Sequence, residues 1–299
     1  MSFEWKGVFP ALLTPFNKNE ELDLDMYEKN LAAQVAAGVH GIVIGGSLGE
    51  ASTITEKEKE ELVEFSVEYL NEQIPVILNI AESTTKDAIQ QTANAKKWGA
   101  DGIMLLPPMR YKTDDRETIT YFKTIAKSTD LPIMIYNNPH DYKIDTRPDM
   151  FDQLIECENI TALKESSRDV TNLNRMKNRF GDRIKILCGV DTLAMEELCL
   201  GADGWVAGLV CAFPKETVDI FNLVKAGKID EAAKIYRWFM PMLELDIHPK
   251  LVQYIKLAAT QTGISSEYVR APRLILEGEE RERILKIIND GISKKSVLK

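Results

Sequence analysis

The amino-acid sequence predicts an α/β fold, a (β/α)8 TIM barrel with a C-terminal three-helix extension. Eight short apolar runs rich in β-branched residues alternate with longer stretches of helical spacing. The runs are apolar on successive residues, which is typical of parallel strands that are covered on both faces. A short turn that begins with glycine, at 38–41, 99–102 and 201–204, ends a helical stretch and leads into an apolar run each time. Eight such units favour a closed barrel over an open sheet.

The predicted strands lie, in chain order, at 7–14, 41–46, 76–80, 102–107, 132–136, 160–164, 184–188 and 204–209. The stretches between them have polar starts and apolar residues at helical spacing. The helix after the second strand illustrates this, because Thr55 and Glu58 form a capping-box pattern. Val63, Val67 and Leu70 then recur on one helical face. Each strand is therefore expected to be followed by a helix that covers the barrel.

After the eighth strand the pattern is helical only. The first helix has an apolar face, with Pro241 as an expected kink or break; that face comprises Ala232, Ile235, Tyr236, Phe239 and Leu243. Pro249 opens a second helix that Gly263 ends, and a third covers 279–290. We therefore divide the chain into a barrel at 1–226 and a helical extension at 227–299 packed on it. The extension either flanks the barrel and offers surface for oligomer contacts, or only completes the core.

Composition and charge exclude several classes of function. The chain has 37 Lys plus Arg and 46 Asp plus Glu, a net charge of −9, and no cationic cluster, so no nucleic-acid partner is expected. The apolar runs are too short to span a membrane, and residues 1–10 lack the pattern of a signal peptide, so we expect a cytoplasmic protein. Four cysteines without a CxxC pair and three scattered histidines predict no metal site. Glycine-rich nucleotide motifs are absent, so no cofactor is expected.

The candidate catalytic residues close two neighbouring strands. In a parallel barrel the reaction face lies at the C-terminal ends of the strands, and Lys164 directly follows the strand-forming residues 160–163. Burial there would lower the pKa of the amine and free it to attack a carbonyl. Tyr136 ends the preceding strand and is placed to relay protons. From the residues alone, a lysine that reaches solvent and a tyrosine that only fills a barrel layer stay open as alternatives.

A glycine-rich turn at 45–50 follows the second strand. Its successive N–H groups are expected to form a nest for a carboxylate at the foot of the following helix, although such turns also occur for steric reasons alone. An anion nest, a buried amine and a phenol together suit a small 2-keto or 2-imino acid.

With these pieces the sequence resembles the dihydrodipicolinate synthase / N-acetylneuraminate lyase family of Schiff-base barrels over essentially its whole length. The matching segments are 7–16, 46–50, 136–139 and 164–166. The resemblance implies a Schiff base at Lys164, a proton relay at Tyr136 and a homotetramer built from dimers, or a dimer. It also implies that the turn at Gly46, Ser47 and Leu48 binds the substrate carboxylate and that Gly189 and Gly208 lie at the barrel rim near the substrate. Asn138, Ser166 and Asp191 are further candidate substrate contacts, because they could bind the hydroxyl groups of a sugar acid.

Three departures argue against synthesis of dihydrodipicolinate itself. Leu48 stands where the synthases carry the second of two threonines, and a leucine side chain does not pass a proton. Asp141 stands where they carry an arginine that holds the carboxylate of the aldehyde substrate, and an acidic residue would repel that group. The tyrosine that a neighbouring subunit lends to their relay falls on Arg110, with Tyr111 adjacent.

The segments 5–11, 47–50 and 237–241 look most like family members of hydroxyproline breakdown. These are deaminases that convert 1-pyrroline-4-hydroxy-2-carboxylate into 2-oxoglutarate semialdehyde and ammonia, and we take this as the expected activity. The alternatives are a 2-keto-3-deoxy sugar-acid dehydratase or aldolase, a non-catalytic barrel that binds a small acid, and a metal-dependent aldolase, which three dispersed histidines support poorly.

Overall fold

Eight parallel strands form the centre of the molecule, as the sequence predicts. A computed structural model describes residues 3–108 and 111–295. The strands are β1 Gly7–Pro10, β2 Ile42–Ile44, β3 Val76–Ile80, β4 Gly102–Leu105, β5 Ile133–Asn137, β6 Ile160–Glu165, β7 Lys185–Cys188 and β8 Gly204–Ala207. Their order is β1-β8-β7-β6-β5-β4-β3-β2, and every pair is parallel. The strand side chains are buried almost throughout, which explains the unbroken apolar runs.

The barrel closes between β1 and β2 through a few backbone bonds rather than a full ladder. Val8 accepts a hydrogen bond from the His40 N–H, and the Leu12 N–H donates to Val43. Ala11 still donates to Ala207 on the other side. The chain thus changes partner just after β1, and this is why β1 ends at Pro10 although the apolar run continues to Thr14.

The helices alternate with the strands and cover them. They are α1 Leu24–Ala37, α2 Glu56–Leu70, α3 Thr85–Lys97, α4 Asp115–Ala126, α5 Pro139–Tyr142, α6 Pro148–Leu154, α7 Thr171–Phe180, α8 Ala194–Cys199 and α9 Pro214–Lys225. The expected capping box at Thr55 and Glu58 is present at the start of α2. The glycines that begin the three repeated turns, Gly38, Gly99 and Gly201, all have positive φ, so each turn uses the left-handed conformation that glycine favours.

The C-terminal extension contains α10 Ile229–Leu243, α11 Leu251–Gln261 and α12 Gly278–Lys294. Pro241 does not end α10, which continues to Leu243 and then tightens into a 3-10 turn, Glu244–Ile247. The extension is tied to the barrel by the Tyr236 hydroxyl, which donates to the Asp191 carbonyl at 2.8 Å. Among the residues that the structure describes, no helix is both long and apolar enough to cross a membrane.

Candidate active site

A cavity of about 570 Å³ opens at the C-terminal ends of the strands, the face on which barrel enzymes carry their chemistry. Its floor is formed by side chains at the ends of β4, β5 and β6 and by the turn after β2. One wall comes from the short helix α5. Another comes from the 3-10 turn of the extension and the first residue of α11. The extension therefore completes the cavity as well as the core.

Lys164 lies at the bottom of this cavity, near the end of β6. It pairs with Tyr136 in the register of β5 and β6, and its Nζ is 4.0 Å from the centroid of the Tyr136 ring. The side chain is 7% exposed, and its Nζ donates to no residue within 3–108 or 111–295. Burial lowers the pKa of this amine, and nearby acidic groups, Tyr142 first among them, oppose the effect in part. Of the two sequence interpretations, the buried amine is the one observed.

Tyr136 is held beside the lysine by its own loop. Its hydroxyl accepts a hydrogen bond from Asn138 Nδ2 at 3.2 Å, and its ring packs edge-on against Tyr142, 5.5 Å between centroids. Burial raises the pKa of Tyr136 to about 12, so the phenol is protonated at neutral pH. The hydroxyl faces the cavity with its proton available for transfer.

The turn after β2 lines the cavity with Gly46, Ser47 and Leu48, as expected. The N–H groups of Ser47 and Leu48 donate to none of the described residues, which leaves them free for an anion. The Ser47 hydroxyl lies 3.3 Å from that of Tyr142. One expectation is wrong: the turn is not at the foot of a helix, because α2 begins only at Glu56. Any anion here must be bound by the turn itself and not by the N-terminus of α2.

The turn is anchored from behind by a buried ion pair. Glu50, at its end, accepts a hydrogen bond from Lys256 of α11 at 2.5 Å, and both side chains are fully buried. The Arg270 N–H donates to the other Glu50 oxygen at 3.2 Å. Burial lowers the pKa of Lys256 to about 8. The position of the turn thus depends on the C-terminal extension.

Gly189 and Gly208 lie at the rim, where a side chain would fill the site. A Cβ on Gly189 would lie 2.1 Å from Ser166 Oγ and 2.6 Å from Lys164 Cε. A Cβ on Gly208 would lie 2.0 Å from Asp246 Oδ1. A side chain at Gly189 would therefore displace Ser166 and Lys164, and one at Gly208 would displace Asp246.

The structure separates the remaining predicted contacts. Asn138 lines the cavity but is engaged, since its Nδ2 also donates to Asp141 at 2.7 Å. Ser166 lines it too, and its buried Oγ has no partner in the described part of the chain. Asp191, predicted to contact the substrate, does not line the cavity and is fully buried behind the wall. Its carboxylate accepts hydrogen bonds from Trp205, Gly208 and Leu209, so it fixes the end of β8 instead.

Asp246 is the most important residue that the sequence analysis missed. It projects into the cavity from the 3-10 turn of the extension, and the sequence around it reads only as the end of a helix. Tyr142 was missed as well, because α5 is a single turn without periodicity. Of the positions where the sequence departs from the synthase pattern, Asp141 lines the cavity. Tyr111 is 59% exposed and its hydroxyl donates to Glu117. Arg110 lies outside the described residues.

A buried amine at the C-terminal end of a barrel strand, with no partner in the described residues and with a phenol and a glycine-rich turn beside it, is typical of the class of lyases that work through a lysine Schiff base. The profile of the Dihydrodipicolinate synthetase family matches residues 4–290, and the chain belongs to this family.

Similar proteins agree with this membership. The 4-hydroxy-tetrahydrodipicolinate synthase of Endomicrobium trichonymphae is 32% identical over 287 residues, 96% of this chain and 98% of the relative. The crystal structure of dihydrodipicolinate synthase from Aquifex aeolicus superimposes with a TM-score of 0.91 at 28% identity, over 96% and 98% of the two chains. That of a Bacillus anthracis dihydrodipicolinate synthase gives 0.92 at 27%, over 96% and 99%.

Proposed function

We propose that Lys164 is the nucleophile of this enzyme and that it forms a Schiff base with a small 2-keto or 2-imino acid. The observation that carries the proposal is the buried amine without a partner in the described residues, 4.0 Å from the Tyr136 ring. A neutral amine attacks a carbonyl carbon, and burial raises the neutral fraction at a given pH. The free N–H groups of Ser47 and Leu48 suit the substrate carboxylate.

For the substrate we propose 1-pyrroline-4-hydroxy-2-carboxylate, with 2-oxoglutarate semialdehyde and ammonia as products. The support is the character of the cavity: Leu48 closes one side with methyl groups, and the lining carboxylates are Asp141 and Asp246. The one lining arginine in the described chain, Arg168, is exposed at the rim. A second substrate carboxylate would meet like charge at Asp141, whereas a hydroxyl or a released amino group would meet oxygen acceptors.

The reaction follows from this arrangement. Lys164 adds to C2 of the cyclic imine, and cleavage of the ring C–N bond leaves a protein-bound imine and a free amino group on C5. The imine draws electrons from C3, so a base near Tyr136 removes a C3 proton and the C4 hydroxyl departs. Rearrangement places an imine at C5. Hydrolysis at C5 and C2 then releases ammonia, the semialdehyde and the free lysine, with a net consumption of one water. No metal or organic cofactor is required, because the protonated imine is the electron sink.

Reductive trapping with a substrate panel tests both parts of the proposal. The protein is incubated with cyanoborohydride and, in turn, the cyclic imine, pyruvate and a 2-keto-3-deoxy acid, and peptides are mapped by mass spectrometry. We expect an adduct on Lys164 and none on Lys256, which is also buried and serves as an internal control. Ammonia should be released from the cyclic imine only.

The outcome separates the alternatives. Turnover of the keto-deoxy acid without ammonia release from the imine would assign the site to a dehydratase or aldolase. Formation of 4-hydroxy-tetrahydrodipicolinate would give it the activity named for the relatives. Absence of any adduct, in a protein that still binds pyruvate, would leave a non-catalytic binding barrel. Lys164→Met, which matches the unbranched apolar stem of lysine but has no amine, is the matched variant and should lose the adduct while staying folded.

We further expect a homo-oligomer, a tetramer or a dimer, because the resemblance to the family implies one. Light scattering coupled to gel filtration measures this directly.

A further inference from the structure

The carboxyl group of Asp246 is placed in the cavity without a protein partner. It is half-buried on the 3-10 turn Glu244–Ile247, and neither of its oxygens accepts a hydrogen bond from residues 3–108 or 111–295. It lies against the end of β8, because a Cβ on Gly208 would meet both Asp246 Oδ1, at 2.0 Å, and Leu48 Cδ1, at 3.0 Å. The carboxyl therefore faces the same space as the anion-binding turn.

The other carboxyl groups nearby are already engaged. Asp141 accepts from Asn138 at 2.7 Å, and Asp191 accepts from two backbone N–H groups and an indole. Buried polar groups are nearly always satisfied by a partner in the protein or by water, so a carboxyl left open toward a cavity is placed to contact what the cavity binds. Asp246 is the cavity-lining carboxyl, within the described residues, that has this freedom.

The surroundings of Asp246 favour its protonated form. Burial raises its pKa well above the usual range, and the charge of Asp191 acts in the same direction. Asp141 adds to this, while Lys164, facing it from β6, opposes it. When Lys164 is the neutral amine that attacks the substrate, this opposing charge is absent. A carboxylic acid in this position can donate a proton, as a carboxylate cannot.

We propose that Asp246 is the acid that protonates the C4 hydroxyl of the bound substrate as this group leaves. The inference rests on the proposed Schiff base at Lys164, and it specifies the substrate class as 2-oxo or 2-imino acids with a hydroxyl at C4. Both the cyclic imine and the 2-keto-3-deoxy acids belong to this class.

The step balances with the groups present. Loss of the C3 proton leaves an electron pair that forms the C3–C4 double bond. The C4–O bond breaks with its electrons on oxygen, and this oxygen takes the Asp246 proton and leaves as water. The carboxylate that remains regains a proton from solvent or from the group that removed the C3 proton. Because hydroxide is a poor leaving group, the rate of this step depends on the acid.

The test compares Asp246→Asn, which keeps shape but has no acidic proton, with Glu244→Gln on the same turn, where the glutamate is exposed and does not line the cavity. Three rates are measured for each protein. They are trapping of Lys164 by pyruvate and cyanoborohydride, loss of the C4 hydroxyl from whichever hydroxy acid the wild type converts, and fluoride release from the same substrate with fluorine at C4. Fluoride leaves without a proton, so its release does not need the acid.

We expect Asp246→Asn to lose about 10²- to 10⁴-fold in elimination of water, while pyruvate trapping and fluoride release stay close to wild type. Glu244→Gln should match wild type in all three. Equal losses of water and fluoride elimination would overturn the proposal, and so would unchanged elimination of water. Loss of pyruvate trapping would overturn it too, because Asp246 would then act through Lys164.

The failure of this inference is distinguishable from failure of the proposed function. If the wild type converts the keto-deoxy acid and not the cyclic imine, the proposed substrate is wrong while the role of Asp246 is still tested on the acid that reacts. If Lys164 is trapped by pyruvate but neither hydroxy acid loses its hydroxyl, the inference about Asp246 is refuted and the Schiff base stands.

Discussion

Substitution of Gly189 by alanine should displace the reactive lysine without unfolding the barrel. The new Cβ would lie 2.1 Å from Ser166 Oγ, 2.6 Å from Lys164 Cε and 2.8 Å from Lys164 Cγ. The backbone has little freedom to retreat, because the Gly189 N–H donates to the Glu165 carbonyl at 2.8 Å. Lys164 Cε must therefore move from 2.6 Å to an ordinary contact of 3.4 Å, about 0.8 Å, and a misplacement of about 1 Å costs roughly 100-fold in rate.

We expect Gly189→Ala to lower the rate of pyruvate trapping at Lys164 by about 100-fold. Overpacking of this kind costs about 1–3 kcal/mol in free energy of unfolding, so denaturant titration should show a folded protein. Ser166→Ala is the control, and the double variant relieves the contact with Ser166 Oγ but not those with Lys164. A double variant with wild-type trapping, or a single variant that traps within a few-fold of wild type, would refute the reasoning.

Three further predictions follow from neighbouring groups. Tyr136→Phe keeps the ring against Lys164 but removes the hydroxyl, so turnover should fall by about 10²- to 10⁴-fold at nearly unchanged stability. Steady-state kinetics measure the turnover and thermal melts the stability. Turnover near that of the wild type would exclude Tyr136 as the proton relay. Lys256→Met leaves Glu50 buried without its main partner, and denaturant titration should show a loss of about 3–5 kcal/mol in free energy of unfolding. The double variant with Glu50→Gln should recover part of this loss. Fully additive effects of the two substitutions would contradict a coupled pair. Burial raises the pKa of Glu197 to about 8, so the folded state holds this proton more tightly than the unfolded state, and stability should fall as pH rises from about 4.5 to 8. Glu197→Gln should remove this loss of stability, which is on the order of 3–5 kcal/mol above pH 8. An unchanged pH dependence in the variant would show that Glu197 is ionised in the folded protein.

The fold could be predicted because its determinants are local. Strands that are covered on both faces carry unbroken apolar runs, and glycines with positive φ mark where helices give way to strands, as at Gly38 and Gly99. The capping box at Thr55 is read from residues three positions apart. The sequence did not predict where a strand stops pairing with its neighbour, such as the early end of β1 at Pro10, because the pairing partners lie far away in the sequence.

The site was predictable where chemistry coincides with the end of a strand, as for Lys164 and Tyr136. It was not predictable where a distant segment contributes. Asp246 lies in a turn with no periodicity, and the partner of Lys256 is 206 residues away. For Asp191 the sequence predicted a carboxylate near the rim, but it could not show whether that carboxylate faces a ligand. In the structure it already accepts hydrogen bonds from Trp205 and from backbone N–H groups.

The contribution of the extension to the cavity has a consequence for how the enzyme matures during synthesis. The eight strands leave the ribosome before the segment that carries Asp246 and Lys256. A nascent chain can therefore complete its barrel while Lys164 is still open to water and the turn at 46–50 has no anchor. Under the proposed function, reactivity of Lys164 toward keto or imino acids should then appear only when translation is nearly finished.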